Sequence, residues 1–100
     1  MIFTIQRQLE IGSWLDYGGF LQSIMILARG YGLDSCAQAM FAEFHPFIRE
    51  QLGIGQEEVV VCGMSLGYAD PNAAENRLVT ERVSVDEFTS FIEAKTDVQP

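Results

Sequence analysis

Apolar positions change period several times along the chain, and each period predicts an element. In residues 1–8, MIFTIQRQ, Ile2 and Thr4 alternate against Phe3 and Ile5, the two-residue period of a strand. Ser13 is a suitable helix N-cap, and Asp16, three residues on, completes a weak capping-box pattern. Trp14, Tyr17, Leu21, Ile24, Ala28 and Tyr31 then form a helical stripe, which Phe20, Ile26 and Leu27 widen beyond one face. Such a helix needs cover on most sides. Gly32 is the predicted C′ stop, since glycine takes the left-handed conformation without a Cβ penalty. A loop reaching Met40 follows, read as a place to hold a flat ligand.

Residues 43–52, EFHPFIREQL, predict a second helix with Pro46 early in it and Gly53-Ile54-Gly55 closing it. Residues 57–68 are dominated by Val59, Val60, Val61, Cys62, Met64 and Leu66, a continuous run that predicts a central strand buried on both faces. Asp70-Pro71-Asn72 opens a polar loop through Asn76, and residues 77–83 read as extended or irregular. Ser84 with Glu87 repeats the capping-box pattern ahead of Phe88, Phe91 and Ile92, predicting a short helix. Residues 93–100 read as a frayed polar tail.

The whole is 100 residues, expected to be a single domain near the lower limit for a self-sufficient core, with 48% hydrophobic positions. So much buried-type helix in so short a chain predicts an oligomer or a missing partner segment. The net charge of −8 leaves no basic face for phosphate backbones, which argues against nucleic acid and anionic membranes. Cys36 and Cys62 stand far apart without a CxxC pairing, the usage of a reduced, cytoplasmic protein. The run Ile24–Ala28 is too short to span a bilayer, and no signal peptide is read.

Candidate chemistry is sparse. His45 has no Cys, Asp or Ser at a spacing that makes a triad or metal set, so it reads as a surface or cap histidine. Cys36 has no neighbouring cation or base to activate it and reads as a small packed hydrophobe. Gly63 and Gly67 lack phosphate-loop spacing and mark a bulge or a close backbone approach. Arg77 and Arg82 are the clustered cations, placed either to meet an anion or to pair with Glu75 or Glu81.

Three blocks carry a resemblance: WLDYGGFLQSIMILARGYGLDSCAQAMF, FHPFIREQLGI and EEVVVCGMSLGYADPNAAENRLVTERVSVDEF. In this order they resemble the carboxy-terminal part of the nitroreductase family, flavin-dependent oxidoreductases that use FMN and a nicotinamide cofactor. The resemblance runs from about Phe3 to Phe91. It implies an α+β fold with a mainly antiparallel sheet flanked by helices, and a homodimer with the long apolar helix at its two-fold interface. It also implies FMN at that interface, with a backbone N–H meeting flavin N5 in the loop Ala37, Gln38, Ala39 and Met40. Ala39 is the N5 neighbour by this correspondence. Arg82 falls on the basic position that meets the FMN phosphate. A second basic position two residues earlier is Thr80 here, which weakens the grip. Hydride passes between stacked rings, so no His, Ser or Asp constellation is required.

Family members also carry an amino-terminal half with an arginine-and-serine motif for the phosphate and ribityl chain, which has no counterpart in this sequence. Residues 1–100 are therefore expected to be a truncated nitroreductase-like domain that opens inside a sheet. Two functions follow. One is FMN-mediated transfer of hydride from NAD(P)H to a nitro compound or quinone-like acceptor; the other is a non-catalytic remnant that self-associates without flavin, as a homodimer or higher homo-oligomer.

Overall fold

A computed structural model describes residues 1–92. Three strands form one antiparallel sheet in the order β1-β3-β2, from β1 (Ile2–Gln6), β2 (Asp34–Gln38) and β3 (Glu58–Gly67). The central position of β3 is the one its apolar run predicts. Between Phe3 and Thr4 the register jumps from Cys62 to Val60, leaving Val61 as a β-bulge. Neighbours on β1 point to opposite faces, so their partners Cys62 and Val60 do too, and both are buried, at 5% and 3% exposure. The bulge thus places these two buried residues on opposite faces of the sheet.

Helix α1 (Ile11–Gly30) covers the face that carries Phe3 and Cys62. The Phe3 and Phe20 rings meet edge to face with centroids 6.3 Å apart, and the Tyr17 hydroxyl donates to the Thr4 carbonyl at 2.9 Å. Tyr17, Leu21 and Ile24 are half-buried and Ala28 is buried, the inner part of the predicted stripe, while Trp14 and Tyr31 at its ends are exposed. The start differs from expectation. Ser13 is not the N-cap, Asp16 makes no capping box, and the helix is already under way at Ile11, with the Trp14 N–H donating to the Glu10 carbonyl at 3.2 Å. A cap is worth about 1 kcal/mol, and extra helical hydrogen bonds outweigh it. The end is as expected. Gly32 sits at φ +73°, with Gly32 N–H on the Arg29 carbonyl and Leu33 N–H on the Ala28 carbonyl, a Schellman closure.

Residues 34–38, read from sequence as loop, are the edge strand β2. Their small and polar side chains carry no two-residue apolar period, and pairing with β3 decides their conformation. A 3-10 turn (Ala39–Ala42) leads into α2 (His45–Leu52), which carries Pro46 in its first turn. Ile48 and Arg49 are buried, and the Arg49 guanidinium donates to the carbonyls of Gly55 and Glu58. On the sheet face opposite α1, the Phe41 ring lies so close over Gly63 that a Cβ there would come within 2.7 Å of it. Gly63 marks a close approach, though by a side-chain ring and not by the backbone expected; Gly67 marks neither an approach nor the bulge. Beyond β3, a second 3-10 turn (Ala74–Arg77) and the single-turn helix α3 (Val85–Phe88) rest on local hydrogen bonds, the latter with both Ser84 groups donating to the Glu87 carboxylate. The tail expected over 93–100 lies outside the described residues.

Among the described residues the buried apolar core is Ile5, Ala28, Ile48, Val60, Cys62 and Met64. Accessible area is 8663 Å², against about 5,700 Å² for a compact protein of this mass. Among the described residues no helix is long and apolar enough to cross a membrane.

Candidate functional site

Ala37 and Gln38 end β2, and Ala39 and Met40 open the 3-10 turn, so all four form one exposed strip at the sheet edge. Their place is fixed from below. Gln38 pairs in register with Gly63, and the missing side chain there admits the Phe41 ring that seats the turn. The Ser65 hydroxyl donates to Gln38 Oε1 at 3.5 Å, a long contact that leaves the amide N–H₂ group free. An open cavity of about 550 Å³ lies beside the strip, lined by Ile2, Gln38, Phe41, Met64 and Leu66 among others. The first N–H groups of a 3-10 turn have no acceptor inside it. Methyl side chains, a free amide and the unpaired first N–H groups of a 3-10 turn suit the edge of a flat heteroaromatic ring. They do not make an acid–base centre.

Arg82 lies away from this strip in chain terms and in bonding. It is exposed and donates to the Thr80 hydroxyl and, at 3.0 Å, to the Glu81 carbonyl. No hydrogen bond joins residues 78–84 to residues 37–40 among the described residues. Neither Arg77 nor Arg82 pairs with Glu75 or Glu81; the one ion pair among the described residues is Arg29 with Asp34. Arg82 therefore keeps donors for an anion, and the structure does not bring it to the strip.

The other singled-out residues stay outside the site. His45 is exposed at the first position of α2. Cys36 is exposed on β2, not packed, because an edge strand of small residues has no cover on that face. Cys62 is buried, and burial raises its pKa; Tyr17 is raised by burial and then by the nearby Cys62 thiol. No group of three His, Cys, Asp or Glu is placed to hold a metal among the described residues. Sequence reading missed one cluster, Arg7 with Arg49, whose members come together only through the β1–β3 register and the return of α2.

The profile of the nitroreductase family matches residues 4–68. This chain belongs to the nitroreductase family. It is 46% identical over 92 residues to the chloronitrobenzene nitroreductase of Comamonas testosteroni, covering 92% of this chain and 40% of the relative. To the 4-nitrobenzoate reductase of Pseudomonas putida it is 48% identical over the same shares. The crystal structure of the FMN and NADPH-dependent nitroreductase NfnB from Sphigopyxis sp. strain HMH superposes with a TM-score of 0.87 at 32% identity, covering 93% of this chain and 42% of that one. The fold is the nitroreductase α+β fold. The chain spans about two fifths of the length of these relatives.

Proposed function

We propose that this chain supplies the ring-edge and phosphate side of an FMN site in a nitroreductase, taking hydride from NAD(P)H to reduce a nitroaromatic acceptor. The observation that carries the reading is the strip Ala37–Met40, exposed beside an open cavity at the sheet edge of a nitroreductase fold. When bound, FMN supplies the hydride relay, which no side chain here could replace. Ala37 and Ala39 leave room for close approach of the ring edge. The Ala39 N–H would serve as a donor to the ring edge, the Gln38 amide would offer a second, and the exposed Met40 side chain would shield that edge from water. Arg82 would hold the phosphate through the guanidinium donors that its own segment leaves free. The names of the relatives point to nitrobenzene-type and 4-nitrobenzoate acceptors.

We further propose a homodimer through the outer face of α1, where Ile11, Leu15, Ile26 and Leu27 stand in solvent, and place the chain as the carboxy-terminal part of the family fold. Two free cysteines support a reducing compartment such as the cytoplasm. The alternative, a self-associating remnant without flavin, is favoured by one observation: Arg82 is held by its own segment and not beside the strip. Turnover separates the two. With FMN in excess, the chain should take up flavin and oxidise NADPH on addition of 4-nitrobenzoate; a chain that takes up no flavin and leaves NADPH untouched supports the remnant.

A further inference from the structure

Arg7 leaves β1 and Arg49 projects from α2, and both guanidiniums converge on the turn that enters β3. Arg7 Nε donates to the Gln56 carbonyl at 3.0 Å and Arg7 Nη2 to the Glu58 carbonyl at 3.4 Å. Arg49 Nη1 donates to the Gly55 carbonyl, and its Nη2 donates to that same Glu58 carbonyl. Two cations that share one oxygen have those nitrogens within about 6 Å of each other. Among the described residues no carboxylate lies within 4.0 Å of either guanidinium. This is unexpected in a chain of net charge −8 with only 6 Lys and Arg residues. Two like charges are held together, one of them buried at 9% exposure, and Glu50 lines the same cavity without pairing with either, so an anion between them would relieve the repulsion.

A cavity of about 420 Å³ opens at this point, lined by Arg7, His45, Arg49, Glu50, Ile54 and Gln56. Each guanidinium has five N–H donors, and the carbonyls use two from each, so several remain. His45, at the start of α2, also lines the cavity. We propose that this cavity is an anion site that takes a phosphate monoester, separate from the Ala37–Met40 strip and independent of the flavin reading. Phosphate suits it better than carboxylate, because donors arrive from β1 and from α2, and phosphate offers three acceptor oxygens where carboxylate offers two.

Titration of inorganic phosphate into the intact chain at constant ionic strength, followed by backbone amide resonances, tests this. Saturable shifts should centre on Arg7, Arg49 and Gln56. Arg7→Gln should weaken binding about tenfold or more, since each guanidinium makes charge-assisted bonds. Arg7 is exposed, so the variant keeps its fold; Arg49 is itself buried and holds two carbonyls, and is the poorer choice. Arg77→Ala should change nothing, and acetate should bind distinctly less tightly than phosphate. Absence of saturation, equal affinity in Arg7→Gln, or equal affinity for acetate would overturn the proposal. So would shifts centred on Arg82, which would assign the phosphate to the flavin site.

Discussion

Cys62 and Tyr17 are neighbours where α1 meets the sheet, and burial raises the pKa of both above the ordinary values of 9.0 and 10.0. Each group is neutral when protonated, so the folded chain holds its proton to a higher pH than the unfolded chain does. Stability is full below the ordinary thiol value and is lost as pH rises through the raised folded value, with Tyr17 adding a second loss higher up. The urea midpoint should therefore fall between about pH 8 and pH 11. Cys62→Ala should remove the first part of that fall and keep the second. A midpoint flat across the range would contradict the burial of both groups. At this scale the sequence was least informative about chemistry. Ala37, Gln38, Ala39 and Met40 carry no reactive group, so only resemblance singled them out. Cys36 was misjudged because exposure depends on which strand lacks a neighbour.

Gly63 links the elements to the candidate site, since the space above it is filled by Phe41, which seats the turn bearing Ala39 and Met40. In Gly63→Ala the new Cβ would fall 2.7 Å from the Phe41 ring, which is too close, and the ring must move. Overpacking of this kind costs about 1–3 kcal/mol. Gly63→Ala should lower the urea midpoint accordingly and weaken FMN binding as well, because the turn shifts with the ring. A variant as stable as the parent that binds FMN equally would show that Phe41 does not seat the turn. Most elements were legible from period: β1, α1 with its Gly32 stop, α2 with Pro46, the central β3 and the Ser84–Glu87 box. β2 was not. The letters DSCAQ have no apolar alternation, and an edge strand of this kind is specified by its partner, not by itself. The start of α1 was placed three residues late because Ser13 competes with helical hydrogen bonds that outweigh one cap.

The whole molecule exposes more than a compact chain of its mass should, with a Cα radius of gyration of 19.8 Å against about 13 Å for 100 residues. Exposed large hydrophobics occur on α1, on α2 and after β3, among them Leu15, Leu27, Phe47, Tyr68 and Val79. Patches this extensive are covered in stable proteins. Sedimentation across dilution should therefore show a dimer or larger species, and a folded monomer at every concentration would contradict the proposed interface. The account's central claim is that the strip Ala37–Met40 and Arg82 are parts of one FMN site, and an FMN titration tests it most directly. The parent chain should bind FMN saturably, more weakly than complete relatives. Arg82→Ala should lose roughly ten- to a hundredfold in affinity, from the ~1.5–3 kcal/mol of a charged hydrogen bond, while Arg77→Ala loses much less. Absence of saturable binding, or equal affinity in the two variants, would contradict the account and leave Arg82 as ordinary surface charge.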